Sequence, residues 1–337
     1  MNSMERVLAA LQGRKRDRRA VTLTLSLYGA KLTGCPLKEY YTSPQAYLKG
    51  QQAVIEHCRP DILFTPFVLT AEAEAFGSEI VYLAKSPPNL RKPVIRHGRE
   101  MASLPDPDME THPRLRYLRE STRLLAEASQ GTRPVAGLLL SPVDLPALIM
   151  GIDGWLETLL FDPENTRRTL EKTTRFFVRW ANTLVAEGAD LLVIPSMFSH
   201  PKILTPNILE TTVMPALTEA FQEVNAPLVF HHGGNPLSTC MGLYDDLPNV
   251  AAFALDDRDS FADVREQIGR EKLLMGNING PNLWRLTPEE IRTACRALLD
   301  DRADDDRFVI ATAGADVAYD TPLENITTLV EAVESFG

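Results

Sequence analysis

Cysteine is scarce in this chain: four residues among 337, Cys35, Cys58, Cys240 and Cys295, with no CxxC pair. That scatter argues against a disulfide framework and against a cysteine-only zinc knuckle, and it points to a reducing, cytoplasmic setting. Long apolar runs are missing as well. None approaches the roughly 18 residues a membrane span requires, and the opening residues lack the basic-apolar-small pattern of a secretory leader, so a soluble protein is expected. Positive charge is in deficit, with 35 Lys and Arg against 45 Asp and Glu and a net charge of -10. This disfavours nonspecific binding to nucleic acid or anionic membranes. The one basic run, Arg14, Lys15, Arg16, Arg18 and Arg19, is expected to be a solvated segment between a helix and a strand. No Gly/Ser-rich linker, composition break or internal repeat divides the chain. Apolar residues at 44% can fill a large core.

What is present is an alternation of short β-branched runs with longer helical stretches, the pattern of a parallel sheet joined by helices. The runs are Val21 to Leu27, Ile62 to Val68, Val135 to Leu140, Leu191 to Ile194, Leu228 to Phe230, Val250 to Leu255, Leu273 to Met275 and Phe308 to Ala311. Eight is the count of a closed (β/α)8 TIM barrel, which commonly needs about 250 residues. A doubly wound sheet is the alternative. Met4 to Arg18 reads as an amphipathic helical extension, and Tyr82 to Arg96, with Pro87, Pro88 and Pro93, as an irregular excursion carrying a small hairpin over one barrel mouth. Helices are predicted over Pro163 to Glu187 and over Thr287 to Leu299, the latter opening Thr-Pro-Glu-Glu. Thr205-Pro206 and Thr321-Pro322 repeat that start signal. A single domain over 1–337 is the reading.

In a parallel barrel the active site forms where the strands end, so the residues that follow each strand are the informative ones. The second strand is followed by Glu72 and Glu74, the fourth by Ser199-His200, the fifth by His231-His232-Gly233-Gly234-Asn235, the sixth by Asp256-Asp257-Arg258 and the seventh by Asn277 and Asn279. Adjacent histidines at a strand end point in different directions, so that one, His231, lines the pocket while the other packs sideways. Paired glycines allow positive φ or close approach of a ligand. Bland roles stand beside each of these: Asp256 and Asp257 as helix caps, the asparagines as turn formers, Glu72 and Glu74 as solvent-facing. His57, His97 and His112 carry no motif.

These residues resemble a known family. Met4 to Arg19 is similar to the opening helix of the uroporphyrinogen decarboxylase superfamily, and LTAEAEAFGSEI (69–80) to the segment after the second strand in its methylcobalamin:coenzyme M methyltransferases. PVAG (134–137), LTPNILETTVMPAL (204–217), HHGGN (231–235), GNINGP (276–281) and DTPLENI (320–326) follow in the family's order. The resemblance implies a barrel that takes a tetrapyrrole-derived substrate at its mouth. The decarboxylase branch carries an arginine-rich loop after the first strand and an aspartate near the second. Here the loop reads SLYGAKLTG and Val68 stands at the aspartate position, which disfavours decarboxylation. The thiol-methylating branch holds zinc with a His-x-Cys motif and a distant cysteine, the metal lowering the acceptor thiol's pKa. His231 matches the histidine, but Gly233 and Ala315 stand at the cysteine positions, and Cys240 lies too far along to substitute.

Three readings of that loss are open: a zinc site rebuilt from His231, His200 and Glu74; a metal-free site in which His231 and Asp256 position or deprotonate a non-thiol acceptor; or loss of catalysis. The resemblance thus leads to a corrinoid-dependent methyltransferase, moving a methyl group between methylcobalamin on a partner protein and a folate, amine or methyl ether. His231 and Asp256 are the catalytic candidates, and Glu72, Asn235, Asn277 and Asn279 the binding candidates. A noncatalytic corrinoid-binding protein is the alternative and a decarboxylase the least favoured. Oligomeric state, a homodimer included, is left open.

Overall fold

The barrel strands are short and buried on both faces, so they could form only inside a closed wall. The computed structural model describes residues 1–337. In chain order the strands are β1 (Val21–Thr22), β2 (Leu63–Phe64), β3 (Glu79–Val81), β4 (Asn89–Lys92), β5 (Val135–Leu138), β6 (Leu191–Pro195), β7 (Leu228–His231), β8 (Val250–Ala254), β9 (Leu273–Asn279) and β10 (Phe308–Ala313). Eight of them form one parallel sheet in the order β1-β10-β9-β8-β7-β6-β5-β2, and β3 and β4 form a separate antiparallel hairpin. The chain is a (β/α)8 barrel in which the first and last strands pair, Val21 opposite Ile310.

Side chains alternate along each strand. Ala136, Leu138, Val193, Val229, Ala252, Met275, Val309 and Ala311 fill the interior, and Leu192, Leu228, Phe230, Phe253, Leu274 and Phe308 pack outward against the helices. The N-terminal helix, Ser3–Leu11, ends earlier than its basic tail suggested. Asn2 caps it in a reciprocal box with Glu5, and its Val7 and Ala10 join the barrel interior, so it closes the lower end.

No ladder joins β1 to β2. The gap is closed at Asp61, whose N–H donates to the Val21 carbonyl (2.8 Å) and whose carboxylate accepts the Val21 N–H (2.9 Å). The same fully buried carboxylate accepts from Ser3 (2.7 Å), Arg6 (2.7 Å) and Arg18 (2.7 Å). The basic run is therefore not the solvated segment expected. Arg14 and Lys15 are exposed, but Arg18 feeds Asp61, Arg16 donates to the Asp306 carbonyl (2.8 Å) and Arg19 to the carbonyls of Arg302 and Ala303 (both 2.7 Å). Those carbonyls end a helix and a strand approach, where guanidinium donors are the natural partner.

Both closing strands are shorter than the sequence suggested, because beyond Thr22 and Phe64 side chains take over the pairing, as when Thr24 N–H donates to Thr312 Oγ1 (3.0 Å). The long helix Pro163–Ala186 starts on its Asp162 cap, and Pro288–Asp301 on the Thr287–Glu290 box. Thr321 departs from the pattern. Its carbonyl accepts from Tyr28 and Lys31, which draws it inside and leaves Pro322 as the cap. Asp61→Asn should lower unfolding free energy by about 3–5 kcal/mol, the effect of stranding buried guanidinium groups. Urea denaturation with a midpoint unchanged from the parent would refute Asp61 as the closure.

Candidate active site

The strand ends divide the mouth into two halves. One is built on β7, β8 and β9. Gly233 has φ +60°, and a Cβ there would lie 2.4 Å from the carbonyl carbon and oxygen of Ser196, so only glycine fits as the chain turns under the β6 loop. That turn brings the two histidines together, their rings stacked with centroids 4.2 Å apart. Half-buried His231 accepts the Gly233 N–H at Nδ1 (3.0 Å) and donates from Nε2 to the Gly314 carbonyl (3.2 Å). Burial, then the neighbouring His232, push its pKa down to about 3, so it is a neutral ring at physiological pH. His232 is fully buried. Its Nε2 accepts the Gly314 N–H (3.1 Å) and its Nδ1 the Gly234 N–H (2.9 Å), while an Asp256 carboxylate oxygen lies 3.0 Å from that Nδ1. Burial raises the Asp256 pKa, but hydrogen bonds from Arg258 (3.1 Å from its N–H, 2.5 Å from Nε) outweigh it and hold the carboxyl below its ordinary value.

The other half, at the ends of β10, β1 and β2, is a cavity of about 570 Å³. Its wall is largely apolar and aromatic, with Leu27, Phe67, Pro87, Trp284 and Tyr319 among the lining residues, and the β3–β4 connection forms one side. The hairpin expected over the mouth thus contributes directly to the cavity. Lys85 on that connection pairs with Asp320 across the rim (2.9 Å). Asp316 stands in the wall, 8% exposed. One oxygen accepts the Leu27 N–H (2.9 Å), the other has no partner, and burial pushes the pKa up to about 8. Sequence reasoning missed Asp316. Its signal was the eighth strand end, Gly314-Ala315-Asp316, one of two carboxylate-bearing ends left unread.

None of the catalytic, binding or metal candidates from sequence lines this cavity, although Ala315, at one of the cysteine positions, does. His231, His232, Asp256 and Asn277 do meet in the first half, where Asn277 donates to the carbonyls of Asp256 and Asp259 (both 3.0 Å). Asn279 bonds Asp257 (2.8 Å) and Asn235 the Met197 carbonyl (3.2 Å). These amides secure loops to one another. Glu72 is not a mouth residue: it is buried, accepts the Leu140 N–H (3.2 Å), and burial raises its pKa to about 7. Asp144, unremarked in the sequence, is fully buried and ties the β5 loop to the β6 loop through the Phe198 N–H (2.6 Å) and Ser199 hydroxyl (3.1 Å). Burial pushes it to about 6.

The rebuilt zinc set does not assemble. Glu74 is bound to Arg114, and His200 places Nε2 against the Pro236 carbonyl (3.0 Å) and Cys240 Sγ (3.4 Å) while Nδ1 accepts the Lys202 N–H (3.1 Å). No three His, Cys, Asp or Glu side chains group as a metal site. At position 233 the backbone itself leaves no room for a cysteine side chain. The residues present do not fit a zinc-thiolate centre.

Comparison with known proteins agrees with this architecture. A profile of the family described as uroporphyrinogen decarboxylase (URO-D) matches residues 2–336, and the chain belongs to that family. It is 24% identical over 341 residues to methylcobamide:CoM methyltransferase MtaA of Methanosarcina barkeri, covering 98% of this chain and 97% of that protein. It is 26% identical over 280 residues to a uroporphyrinogen decarboxylase of Coxiella burnetii, covering 78% and 74%. A solved methyltransferase from Methanosarcina mazei superposes with a TM-score of 0.89 at 23% identity, covering 100% of this chain and 99% of the other. The chain is thus related to enzymes of both kinds. No helix is long and apolar enough to cross a membrane.

Glu72, Asp144 and Asp316 set a pH dependence. Each folded pKa is raised above the unfolded value of about 4, so the stability they contribute is complete below about pH 4 and is lost as pH rises through about 6 to 8. Glu72 alone accounts for a loss on the order of 3 kcal/mol. The thermal midpoint should fall from pH 5 to pH 8, and Glu72→Gln should flatten part of that fall. An identical slope in parent and variant would refute the assignment.

Proposed function

We propose that this member of the uroporphyrinogen decarboxylase family transfers a methyl group between a corrinoid carried by a partner protein and a small molecule held in the mouth cavity, without a zinc-thiolate. One observation carries the choice between the two activities found among its relatives. The cavity offers a single cation, Lys85, and that cation is paired with Asp320. A substrate bearing several carboxylates needs unpaired guanidinium or ammonium groups, and an apolar wall supplies none. Methyl transfer asks for something else: alignment of two reactants on one axis, and exclusion of water, which an apolar cavity provides.

In this reading His231 is a fixed neutral hydrogen-bonding ring. A pKa near 3 makes it a poor base at neutral pH, which argues against its deprotonating the acceptor. Asp256 and His232 are positioning residues. Asp256, through Arg258, secures the Gly234 turn whose N–H fixes His232, His232 holds the Gly314 N–H, and Gly314 leads directly into the cavity wall from Ala315 to Asp320. Asn277 secures the Asp256 loop from below, and Asn235 and Asn279 secure the neighbouring loops. Docking of a corrinoid partner on this acidic protein fits a mixed rim in which exposed Trp284 is the largest apolar group.

Purified protein with methylcobalamin and a panel of folate, amine and methyl ether substrates, followed by ultraviolet-visible spectroscopy, tests the reading. Methyl turnover that survives exhaustive chelation is the expected result. Loss of turnover on chelation, restored by zinc, would refute the zinc-free site, and carbon dioxide release from uroporphyrinogen would refute methyl transfer. Asp256→Asn should lower kcat on the order of 100-fold while leaving KM for methylcobalamin nearly unchanged, with partial recovery in Asp256→Glu.

A further inference from the structure

Asp316 has no part in the scheme above, yet its setting is that of a ligand-binding group. It lies in the wall of the cavity, nine-tenths buried, with one carboxyl oxygen bound to the Leu27 N–H and the other without a protein partner. A buried polar atom with no partner costs stability and is usually explained by a ligand, a water or a functional role. Around it the cavity is lined by Phe67, Trp284 and Tyr319 with Pro87 and Pro281, flat apolar surfaces at a volume of about 570 Å³ that suits one substituted ring. We propose that Asp316 makes this cavity selective for an uncharged, ring-sized apolar molecule bearing an accepting oxygen, such as an aryl ether, by donating a hydrogen bond to that oxygen.

The carboxyl's hydrogen bonding distinguishes a neutral ligand from a cation. A carboxylate built to receive an ammonium is kept ionised by two or three donors or a neighbouring cation. Asp316 has one well-formed backbone donor, the Leu27 N–H, and a lesser one at Ser26; burial outweighs both and raises its pKa to about 8, so the acid form is the stable one at neutral pH, and Lys85 is engaged by Asp320. A thiolate or carboxylate ligand would likewise meet no free cation. The titratable groups that feel the Asp316 charge are the phenols of Tyr40 and Tyr41, both pushed up by burial, while Lys31, bonded to the Thr321 carbonyl (2.6 Å) and pushed down by burial, faces Asp320 and Lys85. Tyr319 completes that side. That the bound molecule is the methyl donor or acceptor rests on the function proposed above; the binding preference does not.

Trp284 is a built-in reporter, 46% exposed at the cavity, whereas Trp155 and Trp180 are buried. The full-length protein is titrated with 1,2-dimethoxybenzene, which does not ionise, and with phenyltrimethylammonium as the cationic counterpart. Fluorescence is read from pH 6.5 to 9.5, with circular dichroism at each pH and Trp284→Phe as the blank. The ether should bind with constant affinity to about pH 7.5 and then weaken by up to about tenfold per unit as the acid form is lost. Asp316→Asn keeps a donor but cannot ionise, so it should bind within a few-fold of the parent and show no pH dependence; Asp316→Leu should lose at least tenfold. Preference for the cation, absence of ether binding at millimolar concentration, or the same pH profile in Asp316→Asn would each overturn the proposal. Ether binding with this profile but no methyl turnover would leave the subsite standing and remove the methyltransferase reading. Turnover of ethers unaffected by Asp316→Leu would do the reverse.

Discussion

The barrel depends on one carboxylate. Asp61 occupies the only break in the ring of strands, between β1 and β2, and makes there both the backbone bond and the side-chain bond that a ladder would have made. A charge so deeply buried is tolerated because Arg6, Arg18 and Ser3 converge on it, and those partners come from the N-terminal helix and from the basic run that follows. Closing the barrel and seating its lower cap are therefore one event. The consequence reaches the opposite end of the molecule: Leu27 and Phe67, just past the closing strands, line the mouth cavity, and their spacing is set by how β1 and β2 meet below.

The mouth separates two kinds of chemistry. On the β7 to β9 side nearly every polar atom is committed. His231 has both nitrogens bound to backbone, Asp256 answers to Arg258 and His232, and the asparagines tie loop to loop. On the β10 to β2 side an apolar cavity has one carboxyl with an oxygen to spare. The rigid half fixes the shape of the open half through the Gly314 peptide, whose carbonyl and N–H are gripped by the two stacked histidines. This is the arrangement in which preorganised neighbours hold a binding wall in place.

The difference from zinc-thiolate chemistry is deeper than two missing cysteines. Gly233 takes a positive φ at a point where any Cβ would collide with the Ser196 carbonyl, directly after the two stacked histidine rings. A cysteine at that position would have to move the β6 loop with it. The turn is built on the glycine, and His200 is directed toward the Pro236 carbonyl and Cys240.

Periodicity and strand-end polarity made the barrel legible, because burial on both faces leaves apolar β-branched runs such as Leu191 to Ile194, and helix starts such as Thr287-Pro288 are written in adjacent residues. The lengths of β1 and β2 were not legible, since they depend on Asp61 and Thr312, far apart in the chain. The same limit applies to the site. HHGGN marked the hydrogen-bonded half of the mouth from local residue types alone, but Glu72, equally polar and equally placed after a strand, turned inward to the Leu140 N–H. Asp316 follows its strand as plainly as Asp256 does, and only the absence of a partner for its second oxygen sets it apart. Sequence by itself determined the wall, its order of strands and helices, and which strand ends carry polar groups, because those follow from periods and caps over a few residues. Tertiary structure decided which of those groups are satisfied and which are free, because a hydrogen-bond partner is a matter of distance in space and not of spacing along the chain.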